Sequence, residues 1–75
     1  MLTRRFEYTK DGTTSLFASV YVEFDYGDDQ ISIATDNGFY TVISKNKIIE
    51  EKHTDDGDLF VCSDGTRLSI EYLDI

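Results

Sequence analysis

Apolar and polar residues alternate with a period of two along most of the chain, and short clusters containing glycine interrupt the alternation. These clusters are Asp11-Gly12, Gly27-Asp28-Asp29, Asn37-Gly38, Asp56-Gly57 and Asp64-Gly65. Alternation places apolar side chains on one face of a strand, and Asp-Gly or Asn-Gly pairs favour tight turns between antiparallel strands. The pattern therefore predicts an all-β fold: a small antiparallel meander of six or seven strands, arranged as a curled sheet or a small barrel or sandwich.

The longest alternating segment runs from Thr14 to Tyr26. Its even positions are apolar and predict the buried face: Leu16, Ala18, Val20, Val22 and Phe24. A strand of about 12 residues would span about 40 Å, which is twice the commonest strand length. We therefore expect a bend or bulge near Ala18-Ser19 that lets one strand serve two sheets.

Two hairpins and one ambiguous segment complete the predicted topology. Asn37-Gly38 can supply the positive φ angles of a type I′ turn between residues 30–35 and 39–44. Ser63-Asp64-Gly65 predicts a hairpin between residues 59–62 and 66–73. Residues 47–53 combine two isoleucines with good helix formers, and we favour a strand there. Pairing of the first and last strands would close the sheet towards a barrel.

Length and composition favour one domain over residues 1–75, because the 75-residue chain has no proline and no low-complexity linker. Its single cysteine excludes an intramolecular disulfide. Residues 1–10 lack the apolar run of a secretory signal, and no apolar stretch approaches the roughly 20 residues of a membrane span. We expect a soluble, cytoplasmic protein that needs good packing or self-association for stability.

The charge is strongly negative, with 15 acidic and 7 basic side chains and a formal net charge of -8. This balance argues against direct binding of nucleic acid or of anionic membranes, since phosphate recognition depends on Lys and Arg. Residues 11–29 and 53–75 each sum to -5. If their turns converge at one end of the sheet, they form an acidic rim that contains Asp25, Asp28, Asp29, Asp55, Asp56 and Asp58.

The residues that most often carry chemistry are sparse, and the sequence predicts no enzyme, no metal site and no cofactor. A 12-residue calcium loop that starts at Asp55 or Asp56 would need a glutamate where Thr66 or Arg67 stands. His53 and Cys62 are the only histidine and cysteine, and a nucleophilic pair would lack an orienting partner. We interpret Cys62 as a core or strand residue and His53 as an edge residue before a loop.

These observations favour a non-enzymatic binding module that presents its acidic rim, with Tyr21 or Tyr26 as an anchor, to a protein partner with a basic surface. Charge complementarity of this kind gives fast, salt-sensitive association. Small acidic β chains without catalytic groups share this general character with virus-encoded inhibitors of host defence or nucleic-acid enzymes. By that analogy, the chain would inhibit its partner by nucleic-acid mimicry.

The alternative hypothesis is a homo-oligomeric β protein that sequesters a small anionic ligand between protomers or acts as an accessory structural subunit. Phe17 and Tyr21 lie on the more polar face of the second predicted strand, where a symmetric interface could bury them. Arg4, Arg5 and Arg67 would then line the ligand cleft, because arginine binds anions bidentately. Their competing role is to pair with acidic residues on neighbouring strands.

Overall fold

The computed structural model describes residues 2–74, and most of them lie in β-strands. The strands are β1 (Leu2–Lys10), β2 (Thr13–Ser19), β3 (Val22–Tyr26), β4 (Gln30–Thr35), β5 (Tyr40–Ser44), β6 (Ile48–Thr54), β7 (Gly57–Cys62) and β8 (Arg67–Asp74), with a short 3-10 helix at Lys45–Lys47. They form a five-stranded antiparallel sheet, in the order β2-β1-β8-β7-β6, and a three-stranded one, β3-β4-β5. The all-β prediction is confirmed, and the sheets do not close into a barrel.

Residues 2–74 form eight strands, rather than six or seven, because the long segment divides at Val20 and Tyr21. β2 belongs to the five-stranded sheet and β3 to the three-stranded sheet, so the segment does serve both sheets. The division lies just after the expected bend at Ala18-Ser19. The buried Ser19 hydroxyl contacts the Asp36 carboxylate and lies 2.9 Å from Tyr21 O, which holds this corner in place.

The predicted buried face of the long segment is wrong in its first half and right in its second. Leu16 is 70% exposed, whereas Phe17 packs against the core. Val22 and Phe24 also pack against the core, as expected. The Phe17 ring stacks on Phe6 at a centroid distance of 4.8 Å, so burial of an aromatic ring selects the odd face of β2. The corner then shifts the alternation by one residue, as a β-bulge does.

The turns follow the glycine pattern, although their types differ from the prediction. Asp11 and Gly12 both have positive φ, 53° and 77°, and they form the type I′ turn that we expected at Asn37-Gly38. At the latter site only Gly38 has positive φ, and the Asn37 side chain accepts a bond from Phe39 N. The β4–β5 hairpin is confirmed, but its loop is longer than two residues.

Residues 48–54 form a strand, which confirms the preferred interpretation of that segment. The turn to β7 lies at Asp55-Asp56, one residue before the predicted Asp56-Gly57 position, because Thr54 pairs with Gly57. A Cβ atom on Gly57 would stand 2.0 Å from the backbone oxygen of Ile70. Glycine is therefore used here for a close approach of two strands and not for a turn.

The core lies between the inner faces of the two sheets. Its largest fully buried side chains are Phe6, Phe60, Ile31, Ile33 and Leu68. β1 pairs with β8 along eight residues, so the first and last strands do pair, although this pairing does not close the sheet into a barrel. The sandwich places one face of each sheet in solvent, and these outer faces are the surfaces that could engage another molecule.

Candidate functional site

The outer face of the three-stranded sheet combines carboxylates with exposed tyrosines. The register places Glu23 opposite Ala34 and Asp25 opposite Ser32, and these small residues are followed on β5 by Tyr40 and Val42. Tyr40 is 64% exposed, Val42 40% and Tyr21, just before β3, 48%. We call Tyr21, Glu23, Asp25, Tyr40 and Val42 the acidic tyrosine face.

Small side chains separate the carboxylates of this face from Tyr40 and Val42. Two strand spacings of about 4.8 Å separate β3 from β5, so the backbone of the two carboxylate residues lies about 10 Å from the backbone of Tyr40 and Val42. Between them, β4 contributes only Ser32 and Ala34 to the outer surface. The Tyr40 hydroxyl leans towards Ser32 Oγ, at 3.5 Å. The Tyr40 side chain therefore extends over the small residues of β4, beside the two carboxylates.

The charge on this side of the molecule has one sign. Residues 11–44 contain six acidic side chains and no Lys, Arg or His, and they include the whole three-stranded sheet. All seven Lys and Arg residues lie in residues 1–10 and 45–75. The negative potential of the acidic tyrosine face is therefore not offset by a neighbour on its own sheet.

Tyr21 is tied to the carboxylate beside it. Its hydroxyl donates a hydrogen bond of 2.9 Å to Glu23 Oε2, and this bond is the main reason why the pKa of Tyr21 is raised. Glu23 itself is exposed. Tyr21 and Asp25, both predicted as partner-binding residues, thus lie on one surface.

The two acidic turn clusters do not form the single rim that the sequence suggested. Asp28 and Asp29 lie beside the 3-10 helix, where Lys45 N donates to Asp29 O at 2.9 Å, just before β6 begins. Asp55 and Asp56 follow the other end of β6. A seven-residue strand, about 20 Å long, separates the two clusters.

Asp58 is buried, which removes it from any exposed acidic surface. Its side chain is 5% exposed and its Oδ1 lies 2.6 Å from His53 Nδ1. The Tyr72 hydroxyl donates to Asp58 Oδ2. A buried carboxylate is stable only when its oxygens are paired in this way, and Asp58 therefore acts as a structural acceptor between β6, β7 and β8.

His53 connects Asp58 to the three-stranded sheet. Its Nε2 lies 2.6 Å from Glu51 Oε2, and the Tyr26 hydroxyl donates to that same oxygen at 3.1 Å. The His53 ring meets Phe60 edge-on, with centroids 5.4 Å apart. We call Tyr26, Glu51, His53, Asp58 and Tyr72 the histidine cluster. It holds the Tyr26 side chain, so Tyr26 is only partly free to anchor a partner.

The histidine cluster changes the protonation of its members. Hydrogen bonds to Glu51 and then to Asp58 hold the pKa of His53 above its ordinary 6.5, against the opposing effect of burial. Burial, followed by the hydrogen bond to Glu51, raises the pKa of Tyr26 to about 12. Burial and then the bond to Asp58 raise the pKa of Tyr72 to about 12. The phenols of Tyr26 and Tyr72 therefore stay protonated at neutral pH, and the contacts of His53 favour its protonated form.

We expect thermal stability to fall as the pH rises through the folded-state pKa of His53. Because that pKa lies above the ordinary 6.5, the stabilisation is complete below that value and is lost above the folded pKa. Melting temperatures measured from about pH 6 to about pH 9 should decrease in the native chain and change much less in His53→Gln. Equal slopes in the two proteins would show that His53 does not couple protonation to folding.

The three arginines proposed for an anionic ligand do not converge. Arg4 faces inward, where its Nη1 donates to Val20 O at 2.8 Å and its guanidinium lies 5.3 Å from the Tyr72 ring centroid. Arg5 pairs with Glu71, and Arg67 pairs with Glu7 at 3.0 Å. All three are engaged within the chain, so the geometry supports their pairing role over a shared anion site.

His53 and Cys62 occupy different parts of the β6–β7 hairpin. His53 lies opposite Asp58, whereas Cys62 lies opposite Ile48, four positions and about 13 Å further along β7. Cys62 is buried, and burial raises the pKa of its thiol. Across residues 2–74, no three His, Cys, Asp or Glu side chains are arranged to hold a metal ion.

Comparison of the chain with protein-family models, with curated proteins and with solved structures gives no match. Within the part of the chain that the structure describes, no helix has the length and apolarity of a membrane span. Functional inference therefore depends on the surfaces described above. Of these surfaces, the acidic tyrosine face combines exposed carboxylates with exposed aromatic area.

Proposed function

We propose that this chain is a non-enzymatic binding module that attaches to a basic surface of another protein through its acidic tyrosine face. The observation that carries the proposal is the alignment of Glu23 and Asp25 opposite Tyr40 and Val42, on a sheet without a single basic residue. Tyrosine and arginine dominate the energetics of many protein interfaces, and tyrosine buries large area at low entropic cost. This face supplies the tyrosines of such a contact, and the partner would supply the arginines.

The carboxylates and Tyr40 around Ser32 and Ala34 suit an arginine or lysine side chain of the partner. A guanidinium placed there would meet carboxylates on one side and the Tyr40 ring on the other. Charge-assisted hydrogen bonds and cation–π contact would then act on the same group. The small size of Ser32 and Ala34 matters because a larger side chain at either position would fill the space that the cation needs.

The partner that best fits this chemistry is a protein whose basic groove normally binds nucleic acid. Carboxylates along β3 and in the Gly27-Asp28-Asp29 turn would take the place of backbone phosphates, which supply most of the affinity of such grooves. Occupation of the groove would inhibit the partner, including a host defence protein if the chain is of viral type. We place this activity in the cytoplasm, where the single free thiol of Cys62 is stable in its reduced form.

Two variants with equal changes in charge test the proposal. Glu23→Gln with Asp25→Asn removes two charges from the acidic tyrosine face, and Asp55→Asn with Asp56→Asn removes two from the β6–β7 turn. Each protein is used as bait in a nuclease-treated lysate of the cells in which the chain occurs. We expect a stoichiometric partner that the native chain and the turn variant retain at low salt, and that the face variant loses by at least about tenfold.

Salt provides the second readout of the same experiment. A partner held by charge should elute as the salt is raised from about 0.1 M to about 0.5 M, because screening shortens the range of exposed charges. Retention of the partner by the face variant and its loss from the turn variant would move the site to Asp55 and Asp56. Equal retention by all three baits would exclude charge recognition at both places.

A further inference from the structure

Both ring nitrogens of His53 lie at hydrogen-bond distance from a carboxylate of the histidine cluster. Nδ1 is 2.6 Å from Asp58 Oδ1, and Nε2 is 2.6 Å from Glu51 Oε2. An ionised carboxylate only accepts hydrogen bonds, and a neutral imidazole carries a single N–H. Both contacts can therefore be hydrogen bonds only when the ring is protonated and positively charged. Loss of one proton from the ring breaks one of the two bonds.

Burial decides which bond is kept when the ring is neutral. The Asp58 side chain is 5% exposed, whereas that of Glu51 is 31% exposed. An unpaired carboxylate oxygen costs far more inside the protein than in water. The remaining proton therefore stays on Nδ1, between His53 and Asp58, and Nε2 turns a lone pair towards Glu51. Because two acceptors repel each other at 2.6 Å, the Glu51 side chain moves away into the solvent that it already reaches.

The Tyr26 hydroxyl lies where it can replace Glu51 as the partner of Nε2. It is 3.1 Å from Glu51 Oε2 and 3.2 Å from His53 Nε2. In the charged cluster the hydroxyl donates to Glu51, because a protonated Nε2 accepts no hydrogen bond. In the neutral cluster it can donate to Nε2 after rotation of its hydrogen alone. The two distances differ so little that no heavier atom of Tyr26 has to move.

We propose that the histidine cluster is a pH switch, in which loss of the His53 proton transfers the Tyr26 hydrogen bond from Glu51 to His53 and releases the Glu51 carboxylate. Tyr26 ends β3, in the three-stranded sheet, and His53 lies in β6, in the five-stranded sheet. A bond between the two sheets therefore persists in both states. The charge at their boundary changes, because a cation disappears and a carboxylate becomes unpaired and solvated. The switch does not depend on the function proposed above, since the cluster shares no residue with the acidic tyrosine face.

The surroundings of His53 leave its own proton as the one that operates the switch. The side chains packed around His53 and its partner Asp58 are three rings and one carboxylate, from β3, β7, β6 and β8: Phe24, Tyr26, Phe60, Glu51 and, on Asp58, the phenol of Tyr72. The pKa of each phenol is raised to about 12, so both keep their protons. Beyond Tyr72, Arg4 lies 5.3 Å from the ring centroid and stays charged. The pKa of His53 lies above its ordinary 6.5, owing to its bonds to Glu51 and Asp58.

Nitrogen NMR of the His53 ring tests the exchange of bonds, because the chemical shift of each ring nitrogen shows whether that nitrogen carries a proton. In a titration from about pH 5 to about pH 10, which spans the range in which a histidine titrates, we expect Nδ1 to keep its proton and Nε2 to lose it. The side-chain carboxyl carbon of Glu51 should shift with the same midpoint. A neutral ring that carries its proton on Nε2 overturns the proposal, as does a Glu51 signal that ignores the titration of His53.

Two substitutions should change the proton affinity of His53 in opposite directions, each by at least about threefold. Tyr26→Phe removes the donor to the neutral ring and should raise the affinity. Glu51→Gln removes a carboxylate that pairs with the charged ring and should lower it.

Glu50→Gln is the matched control, because it removes an equal charge from the neighbouring residue. Glu50 pairs with Lys52 at 3.0 Å and lies on the opposite face of β6 from Glu51. The control should leave the proton affinity of His53 within about 1.5-fold of the native value, and circular dichroism checks that each variant is folded. A lowered affinity in Tyr26→Phe, or equal affinities in Glu51→Gln and Glu50→Gln, overturns the proposal.

Discussion

Replacement of Gly57 with alanine is expected to destabilise the fold by at least about 3 kcal/mol, near the top of the range for overpacked sites. The new Cβ atom would stand 2.0 Å from Ile70 O and 3.1 Å from Ile70 C. Both atoms are backbone, so no side-chain rotation relieves the contact, and β7 and β8 must move apart. A domain of this size is stable by only about 4–11 kcal/mol in total.

Urea unfolding followed by circular dichroism measures this loss, with Gly27→Ala as the control. Gly27 also lacks a positive φ, and its Cβ would meet Gln30 O at 3.3 Å, a contact that a shift of a few tenths of an ångström relieves. We expect the control to change stability by less than about 1 kcal/mol. Similar midpoints for the two variants would contradict the close packing of β7 on β8.

The second large effect is expected at Asp58, whose replacement by alanine should destabilise the protein by about 3 kcal/mol. The change removes the acceptor of the Tyr72 hydroxyl and one of the two carboxylates on His53. Loss of this buried acceptor leaves the Tyr72 hydroxyl without its partner, and His53 keeps only its bond to Glu51. The pKa of His53 should fall as well, since one cause of its elevation is gone.

Asp55→Ala is the matched control for this prediction, because Asp55 is exposed in the adjoining turn and loses an equal charge. Its stability should stay within about 0.5 kcal/mol of the native chain. Chemical denaturation gives both values, and an NMR titration of the His53 ring gives the pKa in each folded variant. Equal stability of Asp55→Ala and Asp58→Ala would show that the histidine cluster does not support the fold.

The local sequence pattern predicted those parts of the fold that depend on residues close together in the chain. The sequence pattern predicted the hairpins at residues 37–38 and 63–65 and a strand at residues 47–53. The hairpins are confirmed, and the strand is observed at residues 48–54. The bend in the long segment also followed from its length, although its division into two separate strands was not predicted. These features depend on turn chemistry and strand propensity, which a single sequence contains.

Features that depend on contacts between distant strands were not predictable in the same way. The stacking of Phe17 on Phe6 decides which face of β2 is buried. Alternation alone cannot show which of the two faces of an uncharged strand points to the core. The turn at Asp55-Asp56 moved by one residue because Gly57 approaches Ile70 O. That single shift puts His53 opposite Asp58 and converts a predicted surface carboxylate into a buried one.

The candidate site also contains some residues that the sequence identified and others that only the pairing of strands brings in. The sequence identified Tyr21 and Asp25 as an aromatic and an acidic residue on the same face of one predicted strand. Tyr40 and Val42 join them only through the β3-β4-β5 register. The absence of basic residues from 11–44 is a signal that the sequence does contain. Summing charge over strands that share a sheet, instead of over consecutive blocks, would have pointed to this face.

The most direct test of the central claim is an NMR titration of the isotope-labelled chain with the partner that the baits retain. We expect the largest amide shifts and line broadening at Tyr21, Glu23, Asp25, Tyr40 and Val42, with weaker effects spreading into the Gly27-Asp28-Asp29 turn. This result would place the partner on the acidic tyrosine face. Changes confined to Asp55 and Asp56, or to the outer face of the five-stranded sheet, would contradict it.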